Sequence, residues 1–171
     1  MANANRVTNA NCYVDGVNFL GKIKEMSMPQ ANFKMVEHSA LGLQGVVEFP
    51  TGFEKFEAKI MWNSFYKEAL VALGNGYKTV NLQVRSSIEV QGASGLQERQ
   101  PMVIFITCTP KNLPLGDFKQ NENAELETNL NVTYFKLQMN GEDVYEVDPM
   151  NNIYKVDGVD QLSDYRNHIG Q

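Results

Sequence analysis

Glu125 and Glu127 stand two apart in an alternating stretch, so an extended chain sets both carboxylates on one face, and with Glu122 nearby they invite general acid–base work. Nothing in the sequence marks a cleft around them, and a solvated strand face accounts for them better. His38 lies beside Ser39, a base next to a hydroxyl, yet the pair reads more simply as a surface strand end. His168 falls near the end of a terminal helix, where it suits the helix dipole better than a metal. Asp157, Asp160 and Asp164 lack the spacing and final glutamate of a calcium loop, and Asp160 reads as a helix cap. Cys12 and Cys108, the only cysteines, are small apolar fillers by this reading rather than a disulfide or zinc ligands. The phosphate-cradling loop and the nucleophile elbow are both missing from the sequence, since Gly74-Asn75-Gly76 follows a helix rather than opening one. Tyr13, Phe19, Trp62, Tyr134, Phe135 and Tyr145 offer a stacking platform for sugars, but their alternation favours core packing. By these motifs the chain is expected to be no enzyme and to need no cofactor or metal.

The elements that position these residues are mainly strands. Asp15-Gly16, Asn140-Gly141 and Asp157-Gly158 each separate short strand-like runs, and both residues of such a pair accept the positive φ of a two-residue hairpin turn. Phe56, Ala58, Ile60 and Trp62 alternate with polar residues, as do Val80, Leu82 and Val84, and Leu126, Leu130, Val132 and Tyr134. The stretch 102–108 is apolar on both faces and reads as a central strand. One helix is expected over 64–73, capped by Asn63 or Ser64 and stopped by Gly74, with Tyr66, Leu70 and Leu73 on its inner face. A second short helix is expected over 160–168, stopped by Gly170. Residues 91–100 and 110–123 read as loops. The expectation is one mainly β, antiparallel domain over residues 1–171, a sandwich or barrel with one packed helix and a polar N-terminal arm over 1–10.

The composition agrees. With 171 residues, 43% hydrophobic and 20% charged, the chain is long enough for one core. Its formal charge of −5 argues against a broad basic surface for nucleic acid. Apolar runs such as 69–73 are far too short for a membrane helix, so no membrane anchor is expected. The polar opening, with no apolar run behind it, predicts no signal peptide.

The C-terminal run Val132-Thr133-Tyr134-Phe135-Lys136-Leu137-Gln138-Met139-Asn140-Gly141, followed by Val144-Tyr145-Glu146-Val147-Asp148-Pro149, resembles the end of the major tail tube proteins of contractile-tailed bacteriophages. The ending Val156-Asp157-Gly158-Val159-Asp160-Gln161-Leu162 and Arg166-Asn167-His168-Ile169-Gly170 is similar too. So are the opening hairpin around Asn11–Phe19 with Met28-Pro29, the strand–helix unit around Glu57-Ala58-Lys59 and Glu68-Ala69-Leu70, and the loop Pro114 and Gly116-Asp117-Phe118-Lys119. The resemblance covers roughly 10–74 and 110–171. The same family includes the tube protein of R-type pyocins.

The resemblance implies a structural subunit whose partners are chiefly copies of itself. Six copies would close into a ring, and rings would stack into a hollow tube within a contractile sheath. Tail sheath, baseplate and tail terminator proteins would be further partners, with a tape measure protein in the lumen and DNA passing without specific binding in a phage. Such a subunit would be assembled in the host cytoplasm and end in a virion tail or an extracellular tail-like particle. The alternatives are the ring protein of type VI secretion and a β-sandwich carbohydrate-binding module. If each subunit lends about four strands to a shared barrel, roughly 24 strands at ~4.8 Å spacing and ~40° tilt give a bore just under ~40 Å. Six copies at −5 each carry about −30 per ring, and an acidic or neutral polar bore would not hold DNA phosphates.

Lumen-facing residues are expected at Asn81, Gln83, Arg85, Glu125, Glu127, Asn129, Asn131 and Thr133. Contacts between subunits are expected at Asn5 and Arg6 in the arm, and at Glu37, His38, Leu41 and Leu43 in the loop 37–45. Asp117 and Phe118 complete that set. The arm over 1–10 is expected to order only against a neighbour.

Overall fold

Three two-residue turns punctuate the chain where the sequence puts a small acid or amide before glycine. Asp15 and Gly16 take φ of 46° and 83°, Asn140 and Gly141 51° and 81°, and Asp157 and Gly158 51° and 73°. Glycine carries the second position because a Cβ there meets its own backbone, whereas Asp and Asn tolerate the left-handed region at the first. A computed structural model describes residues 3–171.

The strands, in chain order, are β1 (Ala4–Val14), β2 (Val17–Asn18), β3 (Ile23–Ser27), β4 (Phe33–His38), β5 (Val47–Phe53) and β6 (Phe56–Trp62). Helix α1 (Lys67–Ala72) follows, then β7 (Val80–Gly92), β8 (Gly95–Pro110), β9 (Leu126–Met139), β10 (Glu142–Asp148), a 3-10 turn over Pro149–Asn151, β11 (Ile153–Val156), β12 (Val159–Asp160) and α2 (Ser163–Ile169). Every pairing is antiparallel. One sheet runs β12-β11-β10-β9-β8-β7-β1-β2, and β6 joins it on β9 with β3 outside β6. Strand β9 is long enough to serve two neighbours on one edge: Leu126–Val132 pair with β6, and Phe135–Met139 pair with β10. Strands β4 and β5 form a separate two-stranded sheet.

Period-two alternation does what the sequence predicts in the middle of this sheet. Phe56, Ala58, Ile60 and Trp62 are buried, as are Val80, Leu82 and Val84, and Leu126, Leu130 and Val132; Tyr134, expected in that last row, is instead turned to the polar face by the register shift and Phe135 takes the core position. The core they form is closed by Phe19, by Ala69 of α1 and Leu73 at its C-cap, and by aromatic edges such as Phe56 against Phe135, 5.2 Å between centroids. Each such edge-to-face pair adds roughly 1 kcal/mol beyond its buried area.

Several local expectations change. The arm does not wait for a neighbour: residues 4–7 pair with Gln91–Ile88 of β7 as the start of β1, while Met1 and Ala2 lie outside the described residues. Residues 91–100 are not a loop, because β7 and β8 continue past the body of the sheet to a turn at Ala93-Ser94, with Gly95 at φ 100°. Helix α1 is shorter than expected and its first turn has no side-chain cap; Tyr66 holds the cap position. Helix α2 starts at Ser163, so Asp160 does not cap it and instead accepts the Leu162 N–H and pairs with Arg166. Gly170 does end it, at φ 79°.

Candidate functional site

Cross-strand partners in an antiparallel ladder share a face, so the register sorts the predicted lumen residues. Asn81 lies opposite Thr107, Gln83 opposite Phe105 and Arg85 opposite Val103, while Thr109 lies opposite Asn131. Because Thr107 and Thr109 share a face, β8 carries one continuous face from Asn81, Gln83 and Arg85 on β7 to Asn131, Asn129 and Glu127 on β9. The same face continues on β6 through Glu57 and Lys59. It is the face opposite the core. Two predicted members leave this row. Glu125 precedes β9 and pairs with Lys24 of β3. Thr133 sits in the irregularity where β8 and β9 shift register between Thr107 and Cys108, and its hydroxyl donates to the Thr107 carbonyl at 3.3 Å.

Hydrogen bonds across the face fix its polar groups. The Thr107 hydroxyl donates to Asn81 Oδ1 at 3.0 Å. Where β8 ends at Pro110, Asn112 takes over its edge: its Nδ2 donates to the Glu127 carbonyl at 2.9 Å and its Oδ1 accepts the Asn129 N–H at 2.7 Å. Backbone groups that would lose their ladder partner are thereby satisfied. Arg85 lies over the Tyr13 ring, 5.6 Å to the centroid.

Every one of the carboxylates Glu57, Glu127, Asp143 and Glu146 on this face is held by a lysine, Glu57 by two, while Arg85 has no carboxylate partner among the described residues. Lys59 meets Glu127 at 2.8 Å, Lys55 meets Glu57 at 3.1 Å with Lys111 also on it, Lys136 meets Asp143 at 2.8 Å and Lys155 meets Glu146 at 3.4 Å. The hydrogen bond from Lys59 holds Glu127 below the usual carboxylate range, those from Lys111 and Lys55 do so for Glu57, and that from Lys136 does so for Asp143. Burial, with Glu146 accepting its proton at 3.0 Å, pushes the Tyr134 hydroxyl up. General acid catalysis requires a raised carboxyl, so the shift at Glu127 runs the wrong way, and Glu125 and Glu127 are tied to different lysines.

The other sequence candidates do not converge on a cleft either. His38 ends β4 with its ring 5.9 Å from Phe49. His168 lies in the last turn of α2. Cys12 and Cys108 are buried free thiols. Among the described residues, no group of three or more His, Cys, Asp or Glu side chains is placed to hold a metal. The proposed stacking platform is divided: Phe19, Trp62 and Phe135 are buried, while Tyr145 is exposed. Among the described residues no helix is long and apolar enough to cross a membrane.

What the fold does display is apolar surface on projecting segments. Leu41 and Leu43 are exposed in the loop between β4 and β5, and the strands beside them expose Met35, Val36, Val47 and Phe49. Phe118 is 81% exposed and stacks on Phe65, with 5.5 Å between centroids and 11° between planes. Asp117 beside it, and Asn5 and Arg6 on β1, are exposed as well. Sequence reasoning missed β4 and β5 as strands and therefore their outward residues. It also missed Phe105, because an apolar run on both faces of β8 does not say which side meets the core.

The fold thus pairs a broad polar sheet face with apolar side chains held out on projecting segments, the two kinds of surface that a building block presents. The family model described as phage tail tube protein FII matches residues 4–170, and the chain belongs to that family. It is a structural subunit of a tail tube. It is 25% identical over 174 residues to the tail tube protein of Escherichia phage P2, covering 99% of both chains. It is 26% identical over 148 residues to the major tail tube protein of Serratia phage KSP20, covering 85% of this chain and 84% of that one. Its fold also matches a chain in the sheath–tube complex of an extracellular contractile injection system, PVC, in the extended state. There the TM-score is 0.54 at 15% identity, over 75% of this chain and 87% of that one.

Proposed function

We propose that six copies close into a ring, that rings stack into the hollow inner tube of a contractile tail, and that the polar face of β7, β8 and β9 lines the bore. The observation that carries this reading is the row Asn81, Gln83, Arg85, Glu127, Asn129 and Asn131 on one continuous face, polar throughout and with its one carboxylate, Glu127, held by Lys59. The lysines of this face are held by carboxylates, and the bases left over, Arg85 on the Tyr13 ring and one of the two lysines on Glu57, form no dense cationic row to grip phosphates, so duplex passes without tight binding. Glu125 and Thr133 stand at the margins of that wall. The subunit works without cofactor or catalysis. The sheath surrounds the tube, the baseplate and terminator close its ends, and a tape measure protein fills it before ejection. Asn5, Arg6, Glu37, His38, Leu41, Leu43, Asp117 and Phe118 make the contacts between subunits. The tube is assembled in the host cytoplasm and works in a virion tail or a headless tail-like particle.

Negative-stain microscopy of the concentrated, purified chain tests the class. Hollow rods of uniform width with a bore of several tens of ångströms support the reading. Monomers or solid aggregates at every concentration and salt refute it.

A further inference from the structure

Strands β4 and β5 pair only with each other, and their root is held by Phe33 and Phe53 against each other and against Tyr154. A two-stranded hairpin alone is marginal in water. This one carries a further cost. Glu37 lies directly opposite Glu48, and among the described residues no lysine or arginine reaches either carboxylate. Like charges in direct cross-strand register destabilise a hairpin. One face of the hairpin therefore carries Met35 and Pro50 followed by this acid pair, and the other carries Val36 and Phe49 followed by His38 and Val47. The outer edge of β4 has free backbone groups and no proline, unlike β5 with Pro50.

A matching surface lies elsewhere on the same chain. Strand β1 is paired along one edge with β7, but on its other edge the hairpin partner reaches only Tyr13, Val14 and, through the Phe19 N–H, the Cys12 carbonyl, so residues 4–11 present an open edge. There Arg6 has no carboxylate partner among the described residues, because Glu89 opposite it is taken by Arg99 at 3.0 Å. Next to it, on the opposite face, Val7 is 52% exposed.

We propose that β4 of one copy adds as an extra strand to the open edge of β1 of a second copy. The partner's Arg6 then sits beside the Glu37–Glu48 pair on one face, and the partner's Val7 sits beside Val36 on the other. Main-chain bonds join the edges, and both faces match, acid to base and apolar to apolar. Donor hairpin and acceptor edge are different surfaces, so every copy gives one and receives one. Such a heterologous contact propagates into a closed ring or a helical stack. The inference rests on the tube reading, for which it names the joint.

Two experiments test it on the full chain. The double variant Val7→Cys/Val36→Cys, oxidised at concentrations where the natural chain forms rods, is expected to give a ladder of covalent multimers, while each single cysteine variant stays monomeric. Rods without a ladder overturn the contact and leave the tube standing. A ladder without rods overturns the tube and keeps the contact, and neither product overturns both. Independently, Arg6→Glu and Glu37→Arg/Glu48→Arg are each expected to keep the circular dichroism of the natural chain and lose at least tenfold in sedimentable polymer. An equimolar mixture of the two restores it, since acidic edges then meet basic hairpins and the reverse. Folded variants that assemble alone like the natural chain, or whose mixture stays soluble, overturn the proposal.

Discussion

The indole Nε1 of Trp62 donates to the hydroxyl of Thr128 at 3.1 Å, with both residues buried where β6 meets β9. This bond explains why a threonine stands in an otherwise apolar inner row: it receives the only polar hydrogen that the buried indole carries. Thr128→Val keeps the shape and strands that N–H, so it is expected to destabilise the dilute, unassembled subunit by about 1–3 kcal/mol. Urea unfolding followed by the fluorescence of Trp62, the chain's single tryptophan, reads the loss directly. An unchanged midpoint would refute the role.

Both cysteines are sealed in the core. Burial pushes the Cys12 thiol up to about 12, and burial, followed by the charges of Cys12 and Asp15, pushes Cys108 up to about 12. Since the thiolate is the reacting species, neither is expected to react with an aromatic disulfide reagent at pH 8 in the folded subunit. Both should react once denaturant is added. Rapid labelling of either under native conditions would show that the core opens locally.

Much of this fold is legible in the sequence wherever a local rule decides it. Asp15-Gly16, Asn140-Gly141 and Asp157-Gly158 specify their turns because only certain residues take positive φ there. The inner residues of β6, β7 and β9 show their period of two because water lies on one side. The same period makes the outward row from Asn81 to Asn131 legible in the sequence. It loses Glu125 and Thr133, which sit at a strand end and at a register shift that no alternation reveals. The β7–β8 hairpin hides because Ala93-Ser94 lacks the usual turn chemistry. Residues 4–7 hide because their partner β7 is remote in sequence. The β4–β5 hairpin hides because it is apolar outward, which is the pattern of a core strand until a neighbour is imagined.

Gly116 is needed for two reasons that can be separated. Its φ is 69°, and a Cβ would stand 3.0 Å from the Glu125 carbonyl oxygen and 3.1 Å from Leu126 Cγ. Gly141, at φ 81°, has nothing within 4 Å of that position. Gly116→Ala is expected to cost about 2 kcal/mol and Gly141→Ala about 1 kcal/mol, the difference being the clash with the start of β9. Equal melting temperatures for the two variants would remove the packing part of the argument.

Asp160 and Arg166 tie α2 to the sheet. The Arg166 hydrogen bond, followed by the Leu162 N–H, holds the Asp160 carboxyl below its ordinary value. Arg166 also donates to the Asn152 carbonyl at 2.7 Å. A carboxyl lowered on folding contributes stability above its unfolded value of about 4, and that contribution fades as pH falls through the lower folded value. The protection factors of the amides over residues 163–169, taken against the intrinsic rate at each pH, should therefore drop below that point, with the sheet still protected. Asp160→Asn should give fast exchange at neutral pH and no further acid response in this segment. Identical acid profiles for the two chains would dissociate the pair from the docking of α2.

Asn131 is exposed in the single subunit and sits in the middle of the polar row. If that row faces a bore, assembly leaves it open to small solutes and closes it to large ones, since only the tube ends admit them. Asn131→Cys should accordingly react with both a small maleimide and a bulky polymer-linked maleimide as a free subunit. In the assembled rod it should keep the first reaction and lose the second. The outcome separates three placements: an outer wall keeps both reactions, a subunit interface loses both, and only an inner wall sorts the reagents by size. The buried positions of Cys12 and Cys108 keep the native background low, so the engineered thiol reports alone.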